Sequence, residues 1–122
     1  MYFEDDERDG KILDIDEAER VGGLPLIKCL VARELYIMSR KVLEQIEDGR
    51  FEVEDVECCV LNGKVTKTEA DKMQHSIGNK KYIIEGPDTH GNAFYAVGKL
   101  LATDDGKLYF VITAHGSEAN YV

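Results

Sequence analysis

Three runs of apolar and aromatic residues, set close together between Lys80 and His115, limit what this chain can become more than any other stretch of it. They read Lys-Lys-Tyr-Ile-Ile-Glu-Gly (80–86), Asn-Ala-Phe-Tyr-Ala-Val-Gly-Lys-Leu-Leu-Ala-Thr (92–103) and Lys-Leu-Tyr-Phe-Val-Ile-Thr-Ala-His (107–115). Tyr, Phe, Val, Ile and Thr suit a pleated, half-buried surface, and the separators Pro87-Asp88-Thr89-His90-Gly91 and Asp104-Asp105-Gly106 are turn chemistry. The expectation is an antiparallel meander. Gly98, inside the longest run, marks a bulge or bend.

Ahead of the meander the pattern changes from period two to period 3.6. Ile27, Val31, Leu35, Met38, Val42 and Ile46 fall on one helical stripe, widened by Cys29 and Leu30, and Gly22-Gly23-Leu24-Pro25 supplies a start. This predicts one long, kinked or straight helix over 26–47. The consecutive apolar residues Leu35-Tyr36-Ile37-Met38 leave a second possibility open, a short strand followed by a helix that begins after Ser39 as N-cap. Residues 51–63 predict a second, short helix: Glu54 and Asp55 lie in its first turn, Val56, Cys59 and Val60 on its buried stripe, and Asn62-Gly63 at its stop. Lys64-Val65-Thr66-Lys67-Thr68-Glu69 alternates like a solvated edge strand, and 70–79 is a polar connection. The expected architecture is α+β, two N-terminal helices packed on a four-stranded antiparallel sheet, as one domain over 21–122.

Charge matters here mainly through its distribution. The chain of 122 residues carries −9, but residues 1–20 hold nine acids against Arg8, Lys11 and Arg20, so the remainder is only −3. Residues 1–20 therefore read as an acidic, mobile segment, with a short strand at Ile12–Ile15 as the alternative. The near-balanced body disfavours tight nonspecific nucleic-acid binding, which depends on clustered Lys and Arg. Three cysteines (Cys29, Cys58, Cys59) with no signal-peptide pattern ahead of them imply reduced thiols and a cytoplasmic setting. No apolar run approaches the ~18 residues of a membrane span, so no membrane partner is expected.

Several short motifs carry a family resemblance. Ser39-Arg40-Lys41-Val42-Leu43-Glu44-Gln45-Ile46, Phe51-Glu52-Val53-Glu54-Asp55-Val56, Leu61-Asn62-Gly63-Lys64-Val65, Tyr82-Ile83-Ile84-Glu85-Gly86 and Ile112-Thr113-Ala114-His115 resemble a small, largely uncharacterised bacterial domain family. Its pattern runs Ser-x-His-Ala-x-x-Arg-Met, then an Ile-Ser-x-x-Asp-Val helix, an Asn-Gly turn, a Tyr-x-x-x-Gly strand and a terminal Thr-Ala-Tyr. The resemblance covers residues 38–115. That family is similar to the RelE-type ribonuclease toxins, which cleave RNA with basic and aromatic residues and no metal. The resemblance implies cations at the scissile phosphate and a His, Lys or Tyr that moves protons. This chain departs from the pattern at those positions: the helix His is Lys41, the Arg is Gln45 and the terminal Tyr is His115.

His115 is the leading candidate for proton transfer, with Lys41 as its catalytic partner and Lys80 and Lys81 as phosphate contacts. Tyr82, Tyr95 and Tyr109 could stack on bases. Each has an ordinary reading beside it: a strand-end histidine in solvent, lysines that solubilise a sheet edge, and tyrosines that pack a core. Cys58-Cys59 with His75, His90 and His115 lacks ligand spacing, so neither metal nor cofactor is expected, and Cys59 reads as core. Two functions of different classes follow. The first is a protein-interaction domain that binds another protein or itself; the second is a metal-independent ribonuclease of the toxin type. The missing basic positions favour the former.

Overall fold

The computed structural model describes residues 12–116. Its elements in chain order are α1 (Ile15–Val21), α2 (Gly23–Ala32), β1 (Tyr36–Met38), α3 (Arg40–Glu47), α4 (Val53–Asn62), β2 (Lys64–Ala70), a 3-10 turn (Ile77–Asn79), β3 (Lys80–Pro87), β4 (Ala93–Thr103) and β5 (Gly106–Gly116). The five strands form one sheet in the order β1-β5-β4-β3-β2, antiparallel except where β1 runs parallel to β5. The α+β class and the meander are as expected; the helix count, the fifth strand and the mixed sheet are not.

The difference lies in the predicted helix over 26–47, which is broken in two. α2 ends at Ala32, the main chain turns through Glu34 at φ 64°, and Tyr36–Met38 pairs with Tyr109–Val111. The periodicity of Leu35 and Met38 was real, but a strand placed between two helices accommodates it as well: Met38 packs against the core, while Leu35 lies just ahead of the strand and is 41% exposed. Tyr36 and Met38 turn toward the core and Ile37 toward solvent, the alternation of a strand. Ser39 then caps α3, its hydroxyl accepting from Val42 N at 3.2 Å, as the second reading of this stretch anticipated.

The acidic N-terminal segment also contributes structure. Asp14 Oδ1 accepts from Glu17 N at 2.9 Å and starts α1, Ala18 is fully buried, and Glu19 pairs with Lys107 at 3.6 Å. Residues 12–20 are therefore part of the packed body and include no strand. Residues 1–11, the rest of the segment expected to be mobile, lie outside the described residues.

All four helices contribute to a single core on one face of the sheet: Leu26, Ile27, Leu30, Val42, Val56 and Val60 meet Ile84, Phe94, Leu100, Tyr109 and Val111. α4 approaches the sheet most closely. A Cβ on Gly63 or Gly86 would overlap the Cys59 carbonyl, so the end of the helix and β3 touch through bare main chain. Cys59, fully buried as expected, directs its thiol at the Ile84 and Phe94 carbonyls (3.7 and 3.5 Å), and burial pushes its pKa up to about 12.

The opposite face of the sheet, here called the back face, is set by alternation. It carries Ile37, Phe110, Thr113, His115, Tyr95, Val97, Lys99, Lys81, Ile83 and Glu85. At one end it is covered at Lys99, which is 7% exposed and lies 3.3 Å from both oxygens of Asp71. The Asp71 carboxylate also accepts from Ser76 Oγ and Met73 N, which fixes the connection from β2 to β3.

Candidate functional site

His115 reaches the back face because of a bulge. Counting from the turn at Asp104-Asp105, β4 and β5 pair in one register as far as Gly98↔Val111, and in another from Val97↔Thr113 onward, which leaves Ile112 as the extra residue. Without it, the period-two alternation would send His115 into the core beneath the helices; with it, His115 faces outward opposite Tyr95. The bulge is held from outside the sheet. Ser39 N donates to Val111 O at 2.9 Å and Ser39 Oγ to Ile112 O at 2.9 Å, so the residue that caps α3 also satisfies the displaced main chain. Gly98 on the facing strand lies against the Tyr109 ring, and a Cβ there would come within 2.5 Å of it.

The His115 ring meets the Tyr95 ring edge to face at 4.0 Å between centroids, and its Nδ1 lies 2.9 Å from Gly116 O. A carbonyl accepts only, so Nδ1 carries the proton when the imidazole is neutral and Nε2 is left with its lone pair. The row continues across the sheet through Glu85, opposite Tyr95, to Lys64, opposite Glu85. Imidazole, phenol, carboxylate and ammonium thus follow one another on adjacent strands. Glu85 and Lys64 were not singled out in the sequence, because their membership depends on the register of two hairpins; the alternation of 64–69 was the only available signal.

The other proposed site residues do not gather there. Lys81 is on the back face but four residues from Glu85, about 13 Å along β3, and it lies opposite Glu69 in the register of β2 and β3. Lys80 sits at the start of β3, its ammonium 5.7 Å from the Tyr82 ring centroid. Lys41 is exposed in the first turn of α3, at the end of the sheet nearer His115, since α3 starts where Ser39 bonds Ile112. Tyr82 is 7% exposed and Tyr109 fully buried, both on the helix face. Tyr109 is thus corrected from a base-stacking candidate to a core side chain, and Tyr82 has little surface left to offer.

Two other features have the look of sites. A cleft of about 350 Å³ between α1, α2 and the β4–β5 turn is lined by Ile15, Leu30, Leu35 and Leu108 beside the Glu19–Lys107 pair. Asp55, 7% exposed, is a buried carboxylate: Oδ1 accepts from Thr89 N and Oγ1 (2.9 and 2.7 Å) and Oδ2 from Glu52 N (2.9 Å). Burial alone would raise its pKa, but the bonds from Thr89 and Glu52 outweigh that and lower it. With its acceptors occupied it serves as a clamp between α4 and the β3–β4 turn. Among the described residues no three His, Cys, Asp or Glu side chains converge to hold a metal, and no helix is long and apolar enough to cross a membrane. Cys29, Cys58 and Cys59 are free thiols.

Comparison with known proteins found no matching family model, no matching curated protein and no matching solved structure.

Proposed function

We propose that this chain is a non-catalytic protein-interaction domain that binds another protein through the open end of its back face. The observation that carries the reading is the composition of that face. Ile83, Val97, Tyr95 and Phe110 are all partly exposed there, in the middle strands of a sheet whose helices lie on the other side. An apolar, aromatic centre rimmed by Glu85, Lys64 and Lys67 has the layout of a protein-binding patch. A reducing, cytoplasmic setting, consistent with three free thiols, belongs to the same reading. The test places a photo-crosslinking residue at Val97 in the full chain, in cells. A single protein adduct that disappears in an Ile83→Asp variant with unchanged melting supports the proposal; no adduct, or one indifferent to Ile83→Asp, overturns it.

The ribonuclease reading has one specific observation in its favour, the orientation of His115 with Nε2 free to accept a proton. Its cations are not gathered around His115, since Lys80 and Lys81 sit together at the start of β3 on opposite faces of the strand, and Lys41 stands on α3. Purified protein incubated with mixed single-stranded RNA at low salt decides it. Cleavage abolished in His115→Ala and reduced in Lys41→Ala establishes the nuclease; intact RNA removes it.

A further inference from the structure

The two edges of the sheet are built differently. β2, at one edge, is mostly exposed and carries Lys64, Lys67 and Glu69 together with a register break between Val65 and Lys67, which are the devices that keep an edge from pairing with another chain. β1, at the other edge, is protected only by its shortness, three residues, and carries neither a charge nor a register break. Its outward side chain is Ile37, 45% exposed; Leu35 just ahead of the strand is 41% exposed, and Leu43 on the helix that follows is 52% exposed.

The main-chain groups of β1 follow a fixed parity. Tyr109 N donates to Leu35 O at 3.2 Å and Ser39 N donates to Val111 O at 2.9 Å. In a parallel ladder alternate residues bond the neighbour, so the Ile37 amide and carbonyl face β5 as well. The N–H and C=O of Tyr36 and Met38 therefore point away from the sheet, and among the described residues no strand lies beyond them.

We propose that this edge pairs with β1 of a second copy of the chain, antiparallel about a two-fold axis at Ile37, to give one continuous ten-stranded sheet. The edge is self-complementary. With Ile37 on the axis, Tyr36 of each copy stands opposite Met38 of the other, and these are the residues whose main-chain groups point outward, so each pair exchanges two hydrogen bonds. Ile37 meets its own symmetry mate in the non-hydrogen-bonded position, where side chains come closest. Just past the ends of the strand, in the turn before it and the helix after it, Glu34 of one copy falls on the same side of the axis as Arg40 of the other, twice over, and both residues are exposed. No other register keeps all these matches. Centring on Tyr36 or Met38 leaves outward groups without partners and takes Glu34 away from Arg40.

The contact is short, well below a standard stable interface, so the association is weak and shows only at high chain concentration. Ile37 adjoins the back-face patch through Phe110, but pairing of β1 and capture at Val97 are read by different measurements, so either proposal can fail while the other stands. Sedimentation equilibrium of the full chain over a range of concentrations tests it. The expected result is a reversible monomer–dimer equilibrium, weakened at least about tenfold by Ile37→Lys. Arg40→Glu weakens it as well, and the double variant Glu34→Arg with Arg40→Glu restores it. Thermal melting of each variant checks that the monomer is intact; Ile37 faces solvent, so Ile37→Lys leaves the fold in place. A chain that is monomeric throughout overturns the proposal, as does a dimer indifferent to Ile37→Lys and to the charge reversals.

Discussion

At the scale of single residues, the core contains one group that does not belong there chemically. Tyr109 is fully buried and its hydroxyl has no hydrogen-bond partner among the described residues, while burial also raises its pKa. Removing an unsatisfied buried hydroxyl without changing the ring's shape recovers its desolvation cost, so Tyr109→Phe is expected to stabilise the protein by about 1 kcal/mol. A urea midpoint that moves down instead would mean that the hydroxyl is bonded, for example through a buried water. Asp71 is the opposite case, a carboxylate with more partners than most. Ser76 first, then Lys99 and the Met73 amide, draw its pKa down to about 2 against burial, which would raise it. A carboxylate whose folded pKa lies below its unfolded one adds stability above the unfolded value and loses it as pH falls through the folded value. Stability should therefore drop between about pH 4 and pH 2. Asp71→Asn, which strands the buried Lys99 ammonium, should begin less stable at neutral pH and lose less across that window, with Asp55 still titrating. Equal acid limbs in denaturant titrations of the two proteins would contradict this.

At the scale of elements, α4 is tied down at both ends by contacts far apart in sequence. Its C-terminal end meets β3 through Gly63 and Gly86, and the start is held by Asp55, which reaches both Glu52 and Thr89. Asp55→Ala removes a helix cap and frees the β3–β4 turn, an expected loss of about 2 kcal/mol, with faster amide exchange at Thr89 and in the first turn of α4 but not in β5. Uniformly faster exchange would show that the turn and the helix do not come loose as a unit. The sequence signalled Asp55 only as a first-turn acid favoured by the helix dipole, because Thr89 is 34 residues away. The same distinction runs through the rest of the fold. The meander, α4 and the bulge at Gly98 were legible because turn residues, local periodicity and a glycine announce them. The break of the expected helix at Leu35–Met38 was not, since apolar residues three and four apart satisfy a helix as well as they satisfy a strand between two helices. What decides is the pairing of Tyr36 with Tyr109, a contact that no window of sequence contains.

At the scale of the whole molecule, the candidate site shows how far local legibility extends. His115 was visible as a strand-end imidazole, but the face it occupies depends on Ile112 being displaced and on Ser39 holding it, an arrangement drawn from α3, β4 and β5 together. Tyr109 looked equally available and is buried, because the bulge that turns His115 outward leaves Tyr109 and Val111 on the core side. Net charge, by contrast, is fully legible, and it acts on any self-association. Two copies at −9 repel, and the repulsion is screened by salt with a Debye length of about 10 Å at 0.1 M. The Glu34–Arg40 attraction across a β1 pairing is screened too, but it involves few charges, so the balance favours tighter association as salt rises. Deleting residues 1–11 removes five acids and two bases and takes the chain from −9 to −6, while Asp14, Ile15 and Ala18 remain to build α1. The shortened chain is expected to dimerise more tightly than the full chain at low salt and to converge with it at high salt, as read from sedimentation at both ionic strengths. Were the deletion instead to weaken association at every salt concentration, the acidic residues would be making contacts of their own and the repulsion argument would be wrong.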